Sequence, residues 1–116
     1  MTPHELTAIQ RELCRRFGAE FTPAPASQIA GVAKVVLGAT GPIHGLRHPP
    51  KGQTCGWYIW TGELSQDDDF FEPQHVAHLA DSCPQILKYL ALPPGWRFLL
   101  ATGYEDVWFD AALLEV

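Results

Sequence analysis

The sequence predicts an α+β fold: a single compact domain with a mainly antiparallel sheet, an N-terminal helix and two short helices between strands. Three observations predict it. Leu6, Ile9, Leu13 and Phe17 recur at helical spacing behind Thr2-Pro3-His4-Glu5, a helix-start pattern. Residues 57–61, 96–101 and 104–110 are short aromatic and β-branched runs, the last two joined by Thr102-Gly103 in the manner of a hairpin. The order of elements, a helix, two strands, two short helices and a hairpin, is that of α+β domains.

Each element has a local reason. Thr2 is a capping residue, Pro3 suits the first helical position, and Gly18 is a stop, so residues 3–17 read as an amphipathic helix with Cys14 beside its apolar stripe. Thr22-Pro23-Ala24-Pro25 is a stiff linker. Residues 1–25 therefore form a helix and linker, and residues 26–116 the α+β core, of one domain spanning 1–116. Residues 32–37 are β-branched and bounded by glycines, as a strand is. Residues 38–56 hold five glycines, three prolines and two histidines; they read as a long connection with a short irregular strand around Ile43 to Leu46. Pro73 reads as a helix start with Val76, Leu79 and Ala80 on one face. Ser82-Cys83-Pro84-Gln85 is a second capping-box pattern, leading into Ile86, Leu87 and Leu90 and ended by Leu92-Pro93-Pro94-Gly95. The tail from Ala111 is too short to assign.

At 116 residues, 47 % apolar and 18 % charged, the chain is globular and large enough for a core. No apolar run approaches the roughly 20 residues of a membrane span. The first residues lack a basic segment followed by an apolar one, so no secretory signal is expected there. Cys14, Cys55 and Cys83 are odd in number and form no Cys-x-x-Cys, which fits buried thiols in a reducing cytoplasm.

Charge is unevenly spread. Residues 1–58 carry six Lys/Arg against three Asp/Glu, and residues 59–116 carry two against ten. Such an acidic half repels nucleic acid and attracts cationic partners. Its densest part, Asp67-Asp68-Asp69, follows the aromatic strand at Gly56-Trp57-Tyr58-Ile59-Trp60. Strand alternation places Trp57, Ile59, Trp96, Phe98, Leu100, Val107 and Phe109 on a core face. The second face mixes Tyr58, Trp60, Leu99 and Trp108 with Arg97, Asp106 and Asp110. It reads either as a minor core under the N-terminal helix or the Gly/Pro loop, with Arg97 pairing Asp106 or Asp110, or as a partner-binding patch. In the binding reading, Asp67, Asp68, Asp69 and Glu72 capture a basic protein partner electrostatically. Trp60, Trp108, Glu105 and Asp106 then supply anchors and rim charges.

Other chemistries find less support. His75 and His78 share a helical face, with Glu72 and Cys83 nearby, but no second ligand cluster accompanies them, and no metal or cofactor is expected. The acidic triplet lacks the alternating ligands and mid-loop glycine of an EF-hand. Gly38, Gly41 and Gly45 form no phosphate-binding fingerprint. His44, His48 and Cys55 could make a small enzyme or ligand-binding site in the 38–56 loop, but they lack a nucleophile motif and an orienting group. No catalytic residue is assigned. A homo-oligomeric scaffold burying the aromatic face against a second copy stays open.

Several stretches together resemble a known bacterial family: Gly56-Trp57-Tyr58-Ile59-Trp60-Thr61-Gly62, Phe70-Phe71-Glu72-Pro73, Cys83-Pro84 with Leu87-Lys88-Tyr89-Leu90, Pro93-Pro94-Gly95-Trp96-Arg97-Phe98, and Tyr104-Glu105-Asp106-Val107-Trp108. Over roughly residues 45–112 the chain resembles the immunity-protein thirty-three-like domain. The resemblance implies a small cytoplasmic α+β protein that neutralises a toxin, with no catalytic residues to carry over.

Overall fold

Thr2 accepts a hydrogen bond from the Glu5 N–H on its Oγ1 at 3.1 Å and so caps helix α1 (Pro3–Phe17), which Gly18 ends with φ +73°. The computed structural model describes residues 2–33, 42–65, 67 and 69–115. After α1 come strands β1 (Ile29–Ala33), β2 (Ile43–Arg47), β3 (Thr54–Thr61) and β4 (Phe71–His75). A short helix α2 (Leu79–Ser82) and strands β5 (Trp96–Ala101) and β6 (Tyr104–Phe109) follow. Short 3-10 helices lie at Val76–His78, Pro84–Tyr89 and Ala111–Leu114.

The strands form one sheet in the order β4-β1-β3-β2-β5-β6. Among the described residues only the β1–β3 pairing is parallel; the other four are antiparallel. The expected α+β class holds, with these differences in detail. The first strand begins earlier than expected, at Ile29, and residues 34–37 of the expectation lie outside the described residues. The irregular strand at 43–46 is a regular interior strand, β2, paired on both sides. Its Gly45 faces Ile59 and Phe98, and a Cβ there would lie 2.1 Å from the Phe98 ring, so a glycine that looks like a turn signal is a packing requirement. Pro73 opens no helix. It sits inside β4, an edge strand, where proline is tolerated, and α2 starts only at Leu79. The second capping box does not form: Ser82 Oγ donates back to the His78 carbonyl, and Pro84–Tyr89 is a 3-10 helix without a side-chain cap.

The helices cover one face of the sheet. Tyr89 stacks on Phe98 with ring centroids 4.4 Å apart, Trp57 Nε1 donates to the Leu90 carbonyl at 3.0 Å, and Gln10 Nε2 donates to the Leu87 carbonyl at 2.9 Å. The buried residues of α1 are Leu13 and Cys14, while Ile9 of the expected stripe faces solvent. Arg47 is the one buried charged residue among those described, 1 % exposed beneath this layer. Its Nη1 donates to the carbonyls of Thr22 at 2.6 Å and Leu92 at 2.8 Å, and its Nε to that of Cys55 at 3.0 Å. Linker, β3 and the chain entering β5 are thus tied to β2 by one guanidinium. All three cysteines are buried free thiols.

A second polar tie joins α1 to β6. Glu105 accepts from Tyr89 Oη and from Arg16, and Lys88 Nζ lies 3.6 Å away. Burial pushes the Glu105 carboxyl up, but the Tyr89 hydrogen bond and the charges of Arg16 and Lys88 outweigh it and hold it below its usual range. Burial, reinforced by Glu105, pushes the Tyr89 phenol up. A depressed carboxylate stabilises the fold above its unfolded pKa of about 4.3, and the contribution is lost as pH falls through the folded value. The difference in melting temperature between wild type and Glu105→Gln is therefore expected to be largest near neutral pH and to shrink below about pH 4, as thermal melts across pH would read.

Candidate functional site

The alternation that turns Trp57 and Ile59 inward turns Tyr58 and Trp60 to the opposite, outer face. Register brings His44 opposite Trp60 and Leu46 opposite Tyr58 there, with Arg97 and Leu99 on the next strand and Asp106 and Trp108 beyond. β4 adds Phe71. The aromatic rings form a connected row. His44 stacks on Trp60 at 5.2 Å, Phe71 meets Trp60 at 6.3 Å and Tyr58 at 5.1 Å edge-on, and His48 meets Tyr58 at 5.7 Å. Burial, together with the charge of Arg97, pulls the His44 pKa below its ordinary value.

All of this row but His44 lines a groove of about 760 Å³, formed by Leu46, Tyr58, Trp60, Leu64 and Phe71, with His48 and Lys51 among its polar lining residues. The size is that of a recognition cleft. The loop leaving β3 at Thr61 and returning at Phe71 supplies both Leu64 and Phe71 to the groove, and Asp67 and Asp69 lie between them, exposed. Leu64 is 47 % exposed, so the groove offers apolar surface to solvent on a loop that also carries exposed acidic side chains. Ser65 Oγ accepts from the Asp67 N–H at 3.1 Å and the Asp67 carbonyl accepts from Phe70, which fixes the loop's return.

The residues expected to bind are only partly brought together. Asp67 and Asp69 are exposed in the loop between Leu64 and Phe71, and Trp60 lines the groove floor, 4 % exposed, so the indole contributes shape more than contact surface. Asp68 lies outside the described residues. Glu72 is half-buried in β4 opposite Val32. Asp106 and Trp108 share the outer face but sit on β6, with β2 and β5 between them and β3. Glu105 points to the helix-covered face and is engaged there by Tyr89, Arg16 and Lys88. Arg97 pairs with Asp110 at 3.2 Å and lies under the Trp108 ring. The expected cover by α1 is absent from the outer face, because α1 packs over the Pro84–Tyr89 helix on the other one.

Sequence reasoning overlooked Leu46, Leu64 and Phe71 as site residues and named His48 only for the alternative enzyme or ligand-binding site. The signal for Leu64 and Phe71 was their position bracketing the acidic run. For Leu46 it was the alternation His44-x-Leu46, masked by the surrounding glycines and prolines.

The alternative chemistries lose their geometry. His48 lines the groove and its Nδ1 lies 2.9 Å from the Leu113 carbonyl, His44 is stacked on Trp60, and Cys55 is fully buried in the core. The three do not converge on one pocket. His75 ends β4 and His78 lies in the following 3-10 helix, so they share no α-helical face. Their rings are 5.5 Å apart and both are exposed; among the described residues no group of three or more His, Cys, Asp or Glu is placed to hold a metal ion.

Comparison with known proteins gives one match: the model of the Imm33-like domain family covers residues 9–110. No curated protein and no solved structure matches the chain significantly.

Proposed function

The chain belongs to the Imm33-like domain family, and we propose that it is an immunity-type protein that neutralises a bacterial toxin by binding it through the outer-face groove and its acidic loop. The family's immunity-like character implies a protein partner. The observation that carries the reading is the joint placement of Leu64 and Phe71 in the groove with Asp67 and Asp69 between them. Apolar contact and negative potential then act on the same partner surface. The acidic side chains speed encounter with a cationic partner, and the groove holds what arrives. The protein works in the cytoplasm, by binding rather than by chemistry of its own.

The partner for the test is a toxin sought among the products of the neighbouring genes. Replacing Asp67 and Asp69 with lysine is expected to slow association by about tenfold or more at low salt and to flatten its salt dependence. Leu64→Arg is expected to speed dissociation instead. Stopped-flow association and dissociation rates separate the two effects. Unchanged rates in both variants would remove the groove and its loop from recognition.

A further inference from the structure

The two edges of the sheet are built differently. β4 carries Pro73, the kind of residue that blunts an edge. β6 reads Tyr-Glu-Asp-Val-Trp-Phe, with no proline, glycine or lysine, and pairs with β5 in unbroken register along all six residues. Exposed apolar side chains also collect along this strand. Tyr104 is 53 % exposed, Phe109 50 % and Trp108 36 %; with Leu114 just beyond, these are four of the six large hydrophobic side chains exposed among the described residues.

The direction of the free backbone groups follows from one bond. The Asp110 N–H donates inward to the Gly95 carbonyl at 2.7 Å. Hydrogen-bonding direction alternates along a strand, so Tyr104, Asp106 and Trp108 also bond inward, and Glu105, Val107 and Phe109 present N–H and C=O outward. Among the described residues nothing pairs with them.

We propose that this edge pairs antiparallel with the β6 edge of a second copy of the chain, with the two-fold axis at Val107. Two copies can match their outward groups in neighbouring registers centred on Asp106 or on Val107. Centring on Asp106 sets that carboxylate against its own copy, which is unfavourable for directly opposed residues. Centring on Val107 sets Glu105 opposite Phe109 and Asp106 opposite Trp108 of the second copy. On the helix-covered face, the Phe109 ring then lies beside a carboxylate already neutralised by Arg16 and Lys88. On the outer face, the Trp108 indole N–H meets the Asp106 carboxylate, and neither group has a hydrogen-bond partner among the described residues. The strand is thus complementary to itself in one register, donor facing acceptor, with its exposed aromatics covered. The groove on β3 lies away from this edge and stays open, so pairing and partner binding are independent.

Light scattering on the full chain, from micromolar to millimolar concentration, is expected to show mass rising from 12.9 kDa towards twice that value. Because each copy carries a net charge of −5, added salt is expected to favour the dimer, the opposite of its effect on a cationic partner. Phe109→Pro removes an outward N–H and spares the bonds to β5, so it is expected to return the mass to that of the monomer with an unchanged circular dichroism spectrum. Register is read by oxidising a mixture of the Asp106→Cys and Trp108→Cys proteins. The native thiols are buried, so the mixture is expected to give a mixed disulfide-linked dimer that neither protein gives alone. A monomeric mass at every concentration and salt overturns the proposal, as does cross-linking by Asp106→Cys alone without the mixed product.

Discussion

Replacing Arg47 with alanine is expected to destabilise the fold by about 3 kcal/mol or more, because two buried carbonyls and one part-buried carbonyl lose their donor and a large side chain leaves a void. The argument has two opposing parts. Burial pulls the Arg47 pKa below its ordinary value, which records the cost of keeping the guanidinium from water. No carboxylate within salt-bridge distance offsets that cost among the described residues. The offset comes from the carbonyls of Thr22, Leu92 and Cys55 and from the Trp57 ring, whose centroid lies 5.8 Å from the guanidinium carbon. Arginine's planar fork addresses separate acceptors at once, whereas lysine supplies donors from a single point. Arg47→Lys is therefore expected to lose about 2 kcal/mol. Arg47→Met restores much of the volume without the donors, so the gap between the methionine and alanine variants reads the void, and the gap between methionine and wild type reads the hydrogen bonds. Urea unfolding measures all three. Wild-type stability in Arg47→Met would mean that the desolvation cost equals the bonding gain.

Arg47 also shows where legibility in the sequence stops. α1 was readable to its ends because its cap, its stripe and its stop are all local signals. The β5–β6 hairpin was readable because alternation and the Thr102-Gly103 turn are local too. β2 was hidden because Gly45, set under Phe98, looks like loop chemistry unless the partner strand is known. β4 was hidden because proline serves equally at a helix start and on a sheet edge, and only the pairing with β1 decides. The site divides in the same way. The acidic loop and the outward turn of Trp60 follow from charge and alternation. The engagement of Glu105 by Arg16 depends on residues 89 positions apart, and no local pattern announces it. A basic residue between glycines and prolines reads as a loop charge, yet the fold buries Arg47 at the meeting of three segments.

Gly56→Ala is expected to be at least as damaging as any change at Arg47, at about 4 kcal/mol or more. Gly56 adopts φ +96°, and a Cβ there would lie 1.9 Å from the His48 carbonyl oxygen, a backbone atom that no rotamer change can move. The close approach exists because the Gly56 carbonyl accepts from the His48 N–H at 2.9 Å, where β3 departs from regular pairing with β1 between Ile29 and Gly31. A methyl group would force the end of β2 away from β3, taking His48, the groove wall and the Arg47 bond to Cys55 with it. Gly62 gives the control. Its φ is +73°, but a Cβ there meets nothing within 4 Å, so Gly62→Ala carries only the backbone term of about 1 kcal/mol. The difference between the two midpoints in chemical denaturation isolates the steric overlap. Equal losses at both positions would mean that the β2–β3 junction yields freely. A larger loss at Gly56, with the proposed partner binding weakened in parallel, would show that this junction holds the shape of the groove.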